Sequence, residues 1–193
     1  PFRCPYSCND PSWIMRTTEG HSAVLVDGKG HGYVNGSEGT NASYAKAVLL
    51  ESSFQNGDAI LYSNATQPYR LVDLDITAVT RSLAVLLQEK VVIIADHLGK
   101  QEMDSTLEPR FFGYNNDGEA TLSVSENTFA IRRPGARLTG QVFSNHSLAG
   151  RVDQLKIPEE EAQKHPFVAF QTDAGKSVVI VTVLWVGEPE ESF

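Results

Sequence analysis

The sequence predicts an all-β protein, an antiparallel β-sandwich with almost no helix. Two observations carry this. Short apolar runs rich in Val, Ile and Phe recur at near-regular spacing, and turn residues such as Asn56-Gly57, Asn116-Asp117-Gly118 and Pro134-Gly135 punctuate them. Helical character is confined to residues 158–164, where a proline and three acids open a single turn.

The elements follow in chain order. Residues 1–20 read as an irregular segment, because Pro1, Pro5 and Pro11 discourage regular structure. His21 then enters a short apolar strand, Ala23 to Val26, which leaves through the glycine turn Gly28-Lys29-Gly30-His31-Gly32. A loop follows to about Ala42, long for a compact domain. Residues 45–51 fit a strand or a short helix, and residues 58–62 a strand after Asn56-Gly57, the dipeptide suited to a type I′ hairpin. The strongest hairpin runs from Ile76 to His97 about Gln88-Glu89-Lys90. Its β-branched run Val91 to Ile94 predicts a strand buried on both faces. Further strands are read at 110–114, 120–124, 128–133 and 136–143. Residues 167–172 and 177–186 read as a last hairpin across Asp173-Ala174-Gly175. The resulting organisation is an N-terminal segment (1–20), one sandwich domain (21–186) and an acidic tail (187–193).

Composition narrows the function. No apolar run approaches the ~18–20 residues of a membrane helix, so no membrane partner is expected. The net charge of −8, from 24 acidic and 16 basic residues, leaves no basic stripe for nucleic acid. The one dense cationic cluster, Arg132, Arg133 and Arg137, reads as a solvated strand end. Cys4 and Cys8 are spaced to close a small disulfide loop, but two thiols alone make no zinc site. Four Asn-x-Ser/Thr sequons, at Asn35, Asn41, Asn64 and Asn145, are candidate glycosylation sites and point to a secreted, periplasmic or lumenal protein. A start at Pro1 without a leader reads as a mature chain, a processed product or an excised fragment.

No nucleophile elbow, phosphate loop or His-Glu-x-x-His helix is present. Of five histidines, His21 stands out because a strand mouth holds an imidazole rigidly. His21 and Asp10 would supply half of a zinc shell, which needs three or four ligands. His31 and Tyr33, at the glycine turn, are the candidate substrate contacts. His97, His146 and His165 read as structural or exposed, and the tyrosines as core or rim aromatics.

Three stretches resemble the C-terminal part of the heparinase II/III-like polysaccharide lyases. Gly20-His21-Ser22-Ala23-Val24-Leu25-Val26-Asp27-Gly28-Lys29-Gly30-His31 resembles the family's His-Asn-Thr strand ending in Asp-Gly-x-Gly-Gln. Val79-Thr80-Arg81-Ser82-Leu83 through Val91-Val92-Ile93-Ile94-Ala95-Asp96 resembles its Arg-Ser-hydrophobic hairpin closing on Asp. Residues 167–172 with 179–185 resemble its final hairpin. The resemblance implies one part of a larger super-sandwich that completes a cleft against an α/α-toroid, in the same or a second chain. It implies cleavage of an acidic, uronate-containing polysaccharide by β-elimination, and a zinc ion for which His21 matches a histidine and Asp10 an aspartate. Departures are Ser22-Ala23 for Asn-Thr, His31 for glutamine, a short gap between Asp10 and His21, and no toroid or Gly-His-x-His segment in this chain. Uronosyl C5-epimerisation is the alternative within the family. A non-catalytic carbohydrate-binding or structural sandwich is the alternative outside it.

Overall fold

A computed structural model describes residues 10–32, 34–35, 41–42 and 45–188. Fourteen strands are described: β1 (Val24–Val26), β2 (Val34–Asn35), β3 (Asn41–Ala42), β4 (Val48–Gln55), β5 (Asp58–Asn64), β6 (Ile76–Leu86), β7 (Val91–Lys100), β8 (Leu107–Phe112), β9 (Thr121–Ser125), β10 (Thr128–Arg133), β11 (Ala136–Ser144), β12 (Leu148–Gln154), β13 (Pro166–Thr172) and β14 (Ser177–Gly187). The helices are short: α1 (Thr66–Arg70), α2 (Glu159–Ala162) and two 3-10 turns, Pro11–Arg16 and Thr18–Gly20. An eight-stranded sheet, β4-β5-β6-β7-β14-β11-β10-β9, faces a four-stranded sheet, β1-β8-β13-β12, and β2-β3 form a separate pair. Every pairing is antiparallel, so the protein is the antiparallel sandwich that the sequence predicts.

The two sheets enclose one main core. Val142, Val178 and Ile180 from the large sheet are fully buried against Val168 and Phe170 from the small one. Phe129 stacks on Phe111 at 4.9 Å between ring centres and tilts against Phe170 at 5.8 Å. In β13 the alternate residues Phe167 and Ala169 face the other way, into a second cluster with Met15 and Leu155. The small sheet is therefore covered on both faces. Of the segment read as irregular, residues 11–16 and 18–20 form the two 3-10 turns, and the first of them contributes Trp13 and Met15 as buried residues.

Several expectations need correction. Residues 167–172 and 177–186 are not a hairpin: β13 and β14 belong to different sheets, and residues 173–176 carry the chain across the core between them. β14 buries alternate residues and β13 buries Phe167 to Phe170 in succession, and neither pattern tells a hairpin from a sheet-to-sheet crossing. The β6–β7 pairing runs past His97 to Lys100, and Val91 to Ile94 are half-buried rather than enclosed on both faces. Strand β8 begins at Leu107, three residues ahead of the predicted start. Pro109 is tolerated there because the ladder to β13 begins only at Arg110. Strand β12 and helix α1 were not foreseen. Most of β12 is exposed, and its Gly150 makes room for the Phe170 ring, so no apolar alternation marks it. The Asn56-Gly57 turn is as expected, with φ of 55° and 92°.

Candidate functional site

The His21 strand lies at the edge of the small sheet, paired through Val24 to Val26 with β8. His21 itself is exposed, just beyond the second 3-10 turn. Its main-chain N–H donates to the Thr18 carbonyl at 3.2 Å, and its carbonyl accepts the Ala23 N–H at 2.8 Å. The ring Nδ1 lies 2.6 Å from the Thr17 carbonyl. A carbonyl only accepts, so Nδ1 carries the proton, and Nε2 is the nitrogen left to the surroundings.

His31 is arranged the same way at the other end of the strand. Its Nδ1 donates to the Gly32 carbonyl at 2.9 Å and its main-chain N–H to Thr18 Oγ1 at 3.2 Å. Both histidines, ten residues apart in sequence, are thus tied to Thr18. The half-buried His31 ring sits edge-on to Tyr69 of α1, with centres 6.2 Å apart.

Behind β1 lies a buried ion pair. Arg81 of β6 and Asp96 of β7 stand opposite one another in register, and Arg81 grips the carboxylate through Nε (2.6 Å) and Nη2 (3.0 Å). Burial pushes the Asp96 carboxyl up, and the Arg81 charge opposes that. Burial alone would lower the Arg81 guanidinium, but the Asp96 charge and its hydrogen bonds together with the nearby Tyr69 leave it raised. Two-point contact requires both carboxylate oxygens as acceptors, which is the ionised form. The remaining terminal nitrogen, Nη1, donates to the Ser22 carbonyl at 3.1 Å.

Tyr69 donates its hydroxyl to the Val24 carbonyl at 2.6 Å, and burial holds its pKa well above the ordinary value. A phenol so placed is a poor proton acceptor; it pins β1 onto α1. Ala23, Val24, Ser63, Tyr69, Arg81 and Asp96 line a hollow of about 150 Å³ between β1, β5 and β6.

The structure brings His21 and His31 to the two ends of one short strand. Asp10 is exposed, and among the described residues no group of three or more His, Cys, Asp or Glu side chains is placed to hold an ion. His21, like His31, has the form of a ligand, since metal-binding imidazoles commonly donate their second N–H to a carbonyl. Tyr33, Cys4 and Cys8 lie outside the described residues. Asn35 and Asn41 are register partners in the β2–β3 pair. Asn64 Oδ1 accepts the Thr66 N–H at 2.8 Å at the start of α1. The Asn145 amide is spliced into the backbone of β14, donating to Ser177 O (2.9 Å) and accepting from Val179 N (2.8 Å). His165 is buried, while His97 and His146 are half-buried. In the cationic cluster, Arg133 is half-buried, grips Asp117 and lies over Tyr114.

Sequence reasoning named Arg81 and Asp96 without pairing them. The signal was present, because both lie equidistant from the β6–β7 turn. Thr17, Thr18 and Tyr69 carried no such signal.

The architecture defines the class first: a large antiparallel sandwich whose smaller sheet has an edge strand flanked by His21 and His31. No family model and no curated protein matches the chain. Solved structures do. A heparan sulfate lyase HepC mutant from Pedobacter heparinus superposes with a TM-score of 0.65 at 13% identity, over 89% of this chain and 25% of that one. A heparinase III gives 0.64 at 11% identity, over 93% of this chain and 25% of its own. A second heparinase III gives 0.62 at 15%, over 89% and 24%. The chain therefore has the fold of a heparinase-like sandwich and spans about a quarter of the length of these structures.

Proposed function

We propose that this chain is the sandwich portion of a polysaccharide lyase that cleaves uronic-acid-containing glycans by β-elimination, with His21 at the cleft. The carrying observation is an exposed imidazole whose Nδ1 is fixed by the Thr17 carbonyl, leading into the edge strand of a sandwich with the heparinase fold. In β-elimination a base removes the proton at C5, the C4–O bond breaks, and an acid protonates the departing oxygen, leaving an unsaturated uronate. A neutral imidazole with an unprotonated Nε2 toward the cleft can accept the C5 proton, and the imidazolium so formed can return it to the departing oxygen. His31 and Tyr33 are the proposed substrate contacts beside it.

A catalytic toroid, in the same longer protein or in a second chain, supplies the rest of the acid–base machinery in this reading. Two facts support a missing neighbour. The matched structures are about four times longer. The large sheet also overhangs the small one, with apolar rows on both faces: Phe54, Ala59, Val85 and Val92 on one, Ile60, Ala84, Ile93 and Val183 on the other. Sheets apolar on both faces are ordinarily covered on both. A zinc ion, if the enzyme holds one, would take His21 and Asp10 with ligands from beyond the described residues, and would supply positive charge or a structural tie there. Secretion or periplasmic export fits an extracellular glycan.

The test is formation of unsaturated uronate, read by its ultraviolet absorbance, when the full-length protein meets alginate, heparan sulfate or chondroitin-type chains. Absorbance that rises in wild type and is lost in His21→Gln supports the reading. Inverted uronate without elimination assigns an epimerase, and unchanged polymer that still binds assigns a non-catalytic sandwich. Elemental analysis of the same material decides the zinc.

A further inference from the structure

His21 sits between two main-chain carbonyls that are each held by a half-buried arginine, itself fixed by a buried carboxylate. On one side Arg81, fixed by Asp96, donates from Nη1 to the Ser22 carbonyl at 3.1 Å. On the other side Arg110 of β8 donates from Nη1 to the Glu19 carbonyl at 2.9 Å. Arg110 is itself fixed. Its Nε bonds Glu108 Oε1 at 2.8 Å, and its guanidinium lies 4.5 Å over the Phe167 ring. Glu108 is buried and takes a second arginine, Arg151, on its other oxygen at 2.8 Å. A third tie completes the arrangement, from the Phe112 N–H to Ser22 Oγ at 3.2 Å.

Residues 19–22 carry no regular strand structure and lie at the surface, where a loop would ordinarily be mobile. Here charge-assisted hydrogen bonds, stronger than neutral ones, are spent on two backbone carbonyls three residues apart. Neither arginine touches the imidazole. What they fix is the path of the chain from Glu19 to Ser22, and with it the approach of the His21 ring to the Thr17 carbonyl.

We infer that Arg81 and Arg110 are positioning residues that clamp the main chain on both sides of His21 and so hold its ring as the Nδ1–H tautomer with Nε2 presented outward. The inference rests on the reading of His21 as a site residue, but its test does not read catalysis.

The experiment is nitrogen-15 NMR of histidine-labelled full-length protein above the imidazole pKa, with His21→Gln to assign the signals. In wild type, His21 shows a protonated Nδ1 and an unprotonated Nε2. Arg110→Gln and Arg81→Lys each shift His21 toward the Nε2–H form that a free imidazole prefers, while the buried His165 keeps its signals. Arg110→Gln leaves no buried charge alone, because Glu108 retains Arg151, so it decides the matter even where Arg81→Lys fails to fold. A His21 of mixed tautomers in wild type, or one unchanged in folded Arg110→Gln, overturns the clamp. A His21 held as described in a protein that forms no unsaturated uronate overturns the functional reading alone.

Discussion

The two ends of the large sheet are built from similar residues and live in different surroundings. At the β14–β11–β10 end, Val142, Val178 and Ile180 have no exposed surface, because the small sheet lies across them. At the β4–β5 end, Phe54 is 73% and Ile60 60% exposed. The strands pair along their length at both ends, with one register shift at Leu49/Glu51 in β4, so backbone pairing is not the main difference. What differs is the second layer. Strand formation here follows local pattern, whereas burial depends on which distant segment arrives to cover the face.

The widest separation between the two ends is expected from truncating aromatic rings. Phe170→Ala, in the main core, should cost about 3–5 kcal/mol in urea denaturation. Phe54→Ala should stay within about 0.5 kcal/mol. A comparable loss at Phe54 would show that the overhang is covered in solution.

Ion pairs sharpen the same contrast. Arg81→Ala leaves the buried Asp96 charge without its partner and should lower stability by about 3–5 kcal/mol. Arg133→Ala, which breaks an equally well-formed grip on Asp117 at the surface, should leave the denaturation midpoint where it was.

Glycines give a smaller version. A Cβ at Gly140 would run into the Phe129 ring, so Gly140→Ala should cost about 1–3 kcal/mol. Gly135, in the β10–β11 turn, faces open space, and Gly135→Ala should be neutral in the same assay.

The smallest expected effect is a pH dependence. Burial lowers the His165 pKa, so between its folded value and the ~6.5 of an unfolded histidine only the unfolded chain binds the proton. Stability from this group is complete above ~6.5 and falls as the pH drops below it. His165→Gln should flatten that part of the stability profile. An equally steep profile in the variant would assign the effect elsewhere.

Much of the fold was legible because strands announce themselves locally. The β6–β7 hairpin could be read from its alternation and turn, and β4–β5 from Asn56-Gly57. Strand β12 was not legible, since six of its seven residues are polar, small or exposed and its partners lie in β13. Of the candidate site, His21 was visible as a strand-mouth histidine. Its supports were not, because Thr17, Arg81 and Arg110 reach it through main-chain carbonyls, which carry no sequence signature.

By itself the sequence determined the kind of protein: alternating β-branched runs and turn dipeptides commit the chain to antiparallel sheets, since those signals act over a few residues. Tertiary structure alone decided that β13 and β14 part into different sheets, that Arg81 meets Asp96 behind the His21 strand, and that one end of the large sheet is left uncovered. Those outcomes depend on contacts between residues far apart in the chain, whose energies arise only once the layers have come together.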